Sequence, residues 1–253
     1  MKKIIIFLKN IRKKIQLFIN KLGSSERNKK LNNKNVTIIS NNCFAGITYE
    51  YLNLPFLSPT IGLYFFAPEY IKFISNLKYY ATVPLEFVNI NKSKYCDELV
   101  RIKQENVIIG KLDDIEIVFL HYNSFKEAKE KWEKRCKRIN YDNIIFKFND
   151  QNLCTEKELE QFNSLDLPNK ICFTSKKYNN NGFIQIKRDR KRKCVRDDAF
   201  SYHKYFDVVK YINNINRKKR VLHLLYSNTF SGAENVACTI INNTKEEYSM
   251  YYC

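Results

Sequence analysis

The chain has 253 residues, of which 44 are basic and 26 acidic, so its formal net charge is +18. Its 44% hydrophobic and 14% aromatic content excludes a wholly disordered chain and predicts a packed globular protein. A charge of this size is typical of proteins that bind nucleic acid, phosphate or anionic membranes. Because Lys, Asn and Ile are all overused, as in chains from A/T-rich genomes, we assign much of the excess lysine to solvated surfaces. We expect no nucleic-acid partner.

The first 34 residues predict a basic amphipathic helix followed by a polar linker. Apolar residues recur every three or four positions, at Ile4, Leu8, Ile11, Ile15, Phe18 and Leu22. Lysine and arginine fill positions between them, and the longest apolar run, Ile4 to Leu8, is too short to span a membrane. The stripe predicts a helix that lies on an anionic membrane surface. A short coiled coil, or a helix docked on the body of the protein, is the alternative.

Four short apolar runs alternate with helical segments between residues 35 and 216. The runs are Val36–Ser40, Ile115–Tyr122, Asn143–Phe148 and Lys170–Thr174. Their continuous apolar character suits strands covered on both faces. The predicted helices cover residues 67–80, 124–140, 155–162 and 202–214. This alternation predicts an α/β class domain with three layers, α/β/α, and a largely parallel sheet. Residues 84–110 show no clear pattern.

Residues 217–253 predict one incomplete Rossmann-like βαβ unit. It consists of a strand at Arg220–Tyr226, a helix at Ala233–Asn242 and a second strand at Glu247–Cys253. Such a short unit cannot bury a sheet alone. We therefore expect it to dock on the preceding domain, to pair with another chain, or to be the truncated start of a larger domain.

Polar residues follow each of the four apolar runs. They are Asn41, Asn42 and Cys43 after the first run, His121, Tyr122 and Asn123 at the end of the second, Asn149 and Asp150 after the third, and Thr174 and Ser175 at the fourth. In open α/β sheets, ligands bind outside the carboxyl ends of the strands. If all four strands are parallel, these residues meet at one edge of the sheet.

Two kinds of chemistry fit these residues. Cys43 and His121 can act as nucleophile and base, with Asp150 or an asparagine orienting the imidazole. The structural alternative is that Cys43 is a small buried residue and His121 a core histidine. Amide, hydroxyl and carboxylate groups can instead hold sugar hydroxyls. The candidate binding residues are Asn41, Asn42, Ser58, Thr60, Tyr122, Asn123, Thr174 and Ser175.

The eight cysteines form no C-x-x-C pair and none lies at zinc-ligand spacing from a histidine. No secretory-signal pattern favours a disulfide framework. We expect reduced thiols in a cytoplasmic protein, and neither a metal site nor a cofactor.

Several motifs resemble a bacterial family of unknown function, numbered domain 1919 and often labelled exopolysaccharide biosynthesis protein. They include "SNNCFAG", "LPFLSPTIGLYF", "KICFT" and the long segment "IGKLDDIEIVFLHYNSFKEAKEKWEKRCKRIN", within a match from about Val36 to Asn214. The resemblance implies an α/β protein that accompanies genes for capsule, exopolysaccharide or lipopolysaccharide. The family often has Gly-Gly after the cysteine, whereas this chain has Ala45 and Gly46.

Two looser resemblances concern mechanism and the end of the chain. The order of Asn42–Cys43, Pro55–Phe56, His121 and the Arg135/Arg138 helix is similar to a papain-like cysteine peptidase family of unknown function. That resemblance implies a reactive pair of Cys43 and His121. The segment "RVLHLLYSNTFSGAENVA" resembles the opening of a family-4-type glycosyltransferase, which implies a setting in glycan assembly.

Three functions follow from these observations. The first is a role in surface polysaccharide synthesis, acting on or binding a sugar or lipid-linked glycan alongside other polysaccharide-assembly proteins. The second is a Cys–His hydrolase or acyl transferase. The third is a non-catalytic accessory domain of a glycosyltransferase. In each case we expect the protein in the cytoplasm or peripherally on the inner leaflet of the plasma membrane.

Overall fold

The computed structural model describes residues 21–215 continuously, together with Ile15, Phe18, Thr239 and two short strands near the carboxyl end. The chain divides into two compact units, Met1–Asn213 and Asn214–Cys253. Of the predicted amino-terminal helix, Ile15, Phe18 and Lys21 are helical, and the other positions before residue 21 lie outside the described residues.

Helices and strands alternate along the first unit and just beyond it. The helices are α1 (Ser24–Lys29), α2 (Phe44–Tyr51), α3 (Ala67–Ser75), α4 (Leu77–Tyr80), α5 (Cys96–Arg101), α6 (Phe125–Cys136), α7 (Glu156–Ser164), α8 (Asp198–Ser201) and α9 (Val208–Asn214). The strands are β1 (Thr37–Ser40), β2 (Leu63–Tyr64), β3 (Glu86–Val88), β4 (Ile108–Leu112), β5 (Ile115–Phe119), β6 (Ile144–Asn149), β7 (Lys170–Thr174) and β8 (Phe183–Gln185).

In the carboxyl-terminal unit, β9 (Lys219–Arg220) and β10 (Tyr248–Ser249) pair in parallel. Thr239 is helical. The remainder of the predicted strand, helix and strand in this segment lies outside the described residues.

A four-stranded parallel sheet is the first half of the main fold, with strand order β1-β6-β7-β8. Every residue of β1 and β6 is buried. Three of the four predicted strands therefore form as expected, because their uninterrupted apolar runs are covered on both faces. The α/β class predicted from the sequence is confirmed.

A second sheet contains the remaining predicted strand, Ile115–Tyr122, of which Ile115–Phe119 forms β5. Its order is β2-β5-β4-β3, and all its pairs are antiparallel. The expectation that Ile115–Phe119 lies in the parallel sheet is therefore wrong. The reason is local: β4 and β5 form a hairpin around Asp113 and Asp114, and the positive φ of 54° at Asp113 is the geometry that a two-residue hairpin requires. β3, α5 and β4 come largely from the segment that showed no pattern.

Two helix predictions also change in the structure. Residues 67–80 form α3 and α4, with a break at Asn76, where φ is −142° and ψ is 53°. Residues 202–214 form a 3-10 turn at Tyr202–Lys204 and then α9. The helices predicted at 124–140 and 155–162 are confirmed as α6 and α7.

The two sheets meet where β1 and β5 end. The Phe65 N–H, just after β2, donates to the Asn41 carbonyl, just after β1, at 3.1 Å. The N–H groups of Leu120 and His121 both donate to the Gly62 carbonyl at 3.0 Å. These bonds hold the residues before β2 to the end of β5, and the residue after β2 to the end of β1.

Candidate functional site

A cavity of about 1060 Å³ opens where the two sheets meet. We call it the strand-end cavity. Its walls are the start of α2, residues 61–64, residues 120–122 after β5, one side of α6, residues 151–152 after β6 and residues 197–200 at the start of α8. Its volume is at the upper end of the roughly 300–1,000 Å³ typical of small-molecule sites.

Cys43 is held at the start of α2 by a tight turn after β1. The Ser40 hydroxyl donates to the Asn42 carbonyl at 2.7 Å and accepts from the Ala45 N–H at 3.1 Å. The Asn42 side-chain oxygen accepts from the Phe44 N–H at 3.1 Å. Cys43 is half-buried and lines the cavity. A thiol at the amino end of a helix lies where the helix dipole favours its thiolate form.

His121 lines the same cavity from the end of β5, and it is exposed. Gly62, with φ of +71°, lets the neighbouring loop approach closely. A Cβ at this position would lie 3.4 Å from the His121 Cβ and 3.2 Å from the Tyr122 Cε2. The structure therefore brings Cys43 and His121, two of the three predicted catalytic residues, into one cavity.

Tyr122 and Arg135 form the adjoining wall. The Tyr122 hydroxyl donates to the Ile61 carbonyl and accepts from the Arg135 Nη1 at 2.6 Å. Burial raises the pKa of Tyr122, and the Arg135 charge opposes that increase. The Arg135 guanidinium also lies 5.5 Å from the centre of the Phe56 ring.

A buried ion pair is hydrogen-bonded to Asn42, the residue before Cys43. The Lys147 Nζ is 2.6 Å from the Asp198 Oδ2, and both side chains are almost fully excluded from solvent, at 0% and 1% exposure. Burial lowers the pKa of Lys147, and the Asp198 carboxylate opposes this shift. Asn42 joins the pair to the cavity wall. Its side-chain oxygen accepts from Lys147 at 3.0 Å and its amide donates to Asp198 at 2.9 Å.

Asn41 and Asn149 extend this network. The Asn41 amide donates to the Asn149 Oδ1 at 2.8 Å, and the Asn149 amide donates to the Asp198 Oδ1 at 3.0 Å. Asn41 is fully buried. Of the predicted binding asparagines after β1, only Asn42 lines the described cavity.

Asp150, Thr174 and Ser175 lie together outside the described lining of the cavity. The Asp150 carboxylate accepts from the Ser175 N–H at 2.7 Å, from its hydroxyl at 2.8 Å and from the Val195 N–H at 2.7 Å. Burial raises the pKa of Asp150, against these hydrogen bonds. The Thr174 hydroxyl donates to the Lys176 carbonyl at 2.8 Å. These contacts connect β6, β7 and the following loop.

Ser58 and Thr60 are fully buried and lie beside β1, the edge strand of the parallel sheet. The Ser40 N–H donates to the Thr60 hydroxyl at 3.0 Å. The hydroxyl oxygens of Ser58 and Thr60 are 2.9 Å apart. They supply hydrogen bonds that an edge strand otherwise lacks. Asn123 is exposed, and its N–H donates to the Glu127 carboxylate at 2.9 Å.

The sequence indicates a buried charge at Lys147 but not at Asp198. Lys147 is a charged residue inside the apolar run "NIIFKF", which is the one local sign of a buried partner. Asp198 has no comparable signal, because it is the first residue of a four-residue helix in a charged segment. Within the part of the chain that the structure describes, no three His, Cys, Asp or Glu residues are grouped to hold a metal ion. The same residues include no helix long and apolar enough to cross a membrane.

Fold and cavity together define an α/β protein in which a thiol, an imidazole and a guanidinium line one cavity between a parallel and an antiparallel sheet. Residues 13–217 match the model of the family described as Domain of unknown function (DUF1919), and the chain belongs to this family. An uncharacterized protein of Haemophilus influenzae is 33% identical over 212 residues, which cover 81% of this chain and 95% of that protein.

Proposed function

We propose that this protein is a Cys–His enzyme that hydrolyses or transfers an acyl group. The observation that carries the proposal is that Cys43, at the start of α2, and His121, after β5, line the same cavity. A nucleophilic cysteine needs a base that can reach its thiol, and a shared cavity is where the two side chains and a substrate can meet. Both residues line this cavity although β5, which precedes His121, belongs to the antiparallel sheet.

The reaction would proceed in two steps. His121 takes the Cys43 proton, the sulfur attacks the acyl carbonyl, and the leaving alcohol or amine receives the proton as the C–O or C–N bond breaks. Water, or the hydroxyl of an acceptor, then attacks the thioester and loses its proton to His121. The carbonyl–sulfur bond breaks, and Cys43 recovers its proton. Hydrolysis and transfer differ only in whether water or an acceptor enters the cavity.

We propose a sugar or lipid-linked glycan of surface polysaccharide synthesis as the carrier of the acyl group. The support is the chemistry of the lining together with the resemblance of the motifs to proteins labelled for exopolysaccharide synthesis. Four side-chain amides line the cavity, at Asn42, Gln104, Gln151 and Asn152, beside the aromatic rings of Phe56, Tyr64 and Tyr122. Amides pair with sugar hydroxyls, and aromatic rings pack against the apolar faces of sugars.

Differential alkylation tests the reactive pair. Iodoacetamide is added to the whole chain at neutral pH, and the labelling of each cysteine is followed by peptide mass spectrometry. Cys96 is the matched control, because it is also half-buried and is the first residue of a helix, α5, but it does not line the cavity. We expect Cys43 to react at least about tenfold faster than Cys96. The reason is that the thiolate is the reacting form, and its fraction rises about tenfold for each unit by which the thiol pKa falls.

Two variants complete the test. His121→Asn should slow the alkylation of Cys43 without changing that of Cys96. Cys43→Ser should abolish the release of p-nitrophenol from an acyl ester, and wild-type protein stopped during turnover should carry the acyl group on Cys43. Equal labelling of Cys43 and Cys96 would exclude a catalytic thiol.

A second candidate is a glycan-binding accessory domain that assists a glycosyltransferase. The amide-rich lining favours it, because sugar binding needs no nucleophile. Under this function, Cys43→Ser should leave retention on a panel of glycans and nucleotide sugars unchanged, whereas Gln104→Ala should weaken it. Retention of no member of the panel by wild-type protein would exclude this candidate.

We propose that the protein works at an anionic membrane surface. Ile15, Phe18 and Leu22 recur at helical spacing and are 53%, 65% and 58% exposed. Sedimentation with vesicles containing phosphatidylglycerol should retain the whole chain, whereas a chain without residues 1–22 should stay in the supernatant. Equal sedimentation of the two chains would contradict this placement.

A further inference from the structure

We propose that Arg135 binds an oxyanion of the substrate, a carboxylate or a phosphate, beside Cys43. The enzyme would therefore select negatively charged acyl donors or glycans. This inference rests on the proposed function, because it names the substrate class of the same cavity. It depends on how the guanidinium is held and on which of its donors are already used.

The guanidinium is fixed by neutral groups. Its Nη1 donates to the Tyr122 hydroxyl at 2.6 Å and lies 3.4 Å from the Ile61 carbonyl oxygen. The Phe56 ring packs beside it, with 5.5 Å from the guanidinium carbon to the ring centre. Because these contacts hold the group in place before a ligand arrives, binding would cost little side-chain entropy.

The charge of Arg135 has no carboxylate partner in the part of the chain that the structure describes. No described Asp or Glu oxygen lies within 4.0 Å of its nitrogen atoms, whereas Lys131, one turn earlier on α6, pairs with Glu127 at 2.5 Å. Its Nε and Nη2 make no hydrogen bond to described residues. These donors suit the forked recognition of a carboxylate or phosphate. A half-buried guanidinium with unused donors in a cavity is typical of an anion site.

The anion site adjoins the proposed nucleophile. Arg135, Tyr122 and Cys43 all line the strand-end cavity. The Tyr122 hydroxyl accepts from Arg135 at 2.6 Å, so the guanidinium is held against a side chain that shares the cavity with Cys43. An oxyanion on Arg135 would thus occupy the same cavity as the attacking sulfur.

Acidic residues of the cavity do not cancel this charge locally. Asp198 is paired with the buried Lys147 at 2.6 Å, and Glu50 is exposed to solvent. Asp197 also lines the cavity, but its carboxylate oxygens lie more than 4.0 Å from the Arg135 nitrogen atoms. We therefore expect the anionic group of the substrate on the α6 side of the cavity.

A pair of alkylating reagents measures the anion preference directly. Iodoacetate and iodoacetamide both form an S–C bond to the cysteine and release iodide, but only iodoacetate carries a carboxylate. At each cysteine, the rate constant with iodoacetate is divided by the rate constant with iodoacetamide. The readout is this ratio at Cys43 divided by the same ratio at Cys96 in the same molecule. We expect this normalised ratio to be about 10 or more. A factor of about ten corresponds to about 1.4 kcal/mol of added attraction between the reagent and the site.

Two variants on α6 and one on the turn that follows it locate the effect. Arg135→Gln should bring the normalised ratio close to one, and Arg135→Lys should give an intermediate value, because the charge remains but the fork is lost. Arg138→Gln is the matched control, since Arg138 is exposed, belongs to the turn that follows α6 and makes a hydrogen bond to the Phe56 carbonyl at 3.3 Å. This control should retain the wild-type ratio.

Competition in the wild-type protein keeps the proposal testable if a variant does not fold. Acetate and inorganic phosphate are added separately, at constant ionic strength, during alkylation by iodoacetate. Stronger protection of Cys43 by acetate would assign a carboxylate to the site, and stronger protection by phosphate would assign a phosphate. Protection by neither ion would overturn the proposal, as would a normalised ratio that Arg135→Gln leaves unchanged.

The two proposals fail separately in these measurements. Slow reaction of Cys43 with iodoacetamide, relative to Cys96, contradicts the Cys–His function but leaves the anion ratio measurable. A reactive Cys43 with a normalised ratio of one keeps the enzyme and removes the anion site.

Discussion

Replacing Lys147 by methionine should destabilise the protein by breaking a buried ion pair. Methionine retains an unbranched apolar stem of similar length, so little packing is lost. The ammonium group is removed, and the Asp198 carboxylate keeps only the amide donors of Asn42 and Asn149, at 2.9 and 3.0 Å. Because Asp198 is 1% exposed, water cannot replace the missing charge.

The size of the effect follows from that geometry. Removing one partner of a buried ion pair typically costs about 3–5 kcal/mol, because the remaining charge is uncompensated. The two amide donors offset part of this cost, so we expect a loss of about 3 kcal/mol in the free energy of unfolding. With a urea dependence of about 2–3 kcal/mol per molar, the midpoint of unfolding should fall by roughly 1–1.5 M.

Urea unfolding of a double-variant cycle checks this reasoning. Lys147→Met combined with Asp198→Asn removes both charges, so the double variant should be about 2 kcal/mol more stable than the sum of the single effects implies. Lys72→Met is the surface control, since Lys72 pairs with Asp114 at 2.7 Å but both side chains are about half exposed. It should cost less than about 1 kcal/mol. A Lys147→Met variant no less stable than Lys72→Met, or strictly additive effects, would refute the reasoning.

Three further predictions concern the framework of the site. Tyr49→Phe should cost about 1–3 kcal/mol in urea unfolding, because the buried Ile38 N–H loses the Tyr49 hydroxyl that accepts from it at 2.9 Å; an unchanged midpoint would contradict this. Gly62→Ala should cost about 1–2 kcal/mol, because φ is +71° at this residue, and a stability equal to wild type would exclude strain there. Asp114→Asn should weaken the acid sensitivity of the fold. The hydrogen bond from Lys72 lowers the pKa of Asp114 below its usual 3.8, so its stabilisation is present above that pH and is lost as pH falls through the folded-state pKa. Circular dichroism during acid titration should show a shallower loss for the variant, and identical titrations would contradict the prediction.

Strands and helices could be predicted where the local pattern agreed with the final environment. Thr37–Ser40, Ile144–Asn149 and Lys170–Thr174 are buried on both faces, so their apolar runs carried a clear signal. The helix α7 begins after Thr155, whose N–H donates to the Glu158 carboxylate at 2.9 Å in a capping box. Such local hydrogen bonds are encoded within a few residues, and sequence alone can reveal them.

The partners of β5 could not be predicted in the same way. Its sequence is as apolar as that of the central parallel strands, but its neighbours β4 and β2 have weaker patterns. A strand's apolar character reports that it is buried and not which strand lies beside it. The predicted site was affected less than the predicted topology, because His121, after β5, still lines the same cavity as Cys43.

The sequence by itself determined the α/β class, the three parallel strands and the polar ends that follow them. Cys43 and His121 could be selected as a pair because residue type and order suffice to suggest that chemistry. Tertiary structure alone decided which polar residues face the cavity. It turned Ser58, Thr60 and Asp150 inward to satisfy buried backbone groups, and it paired Lys147 with Asp198. The physical reason is that a buried polar group must find a partner. That partner is fixed by packing between segments far apart in the chain.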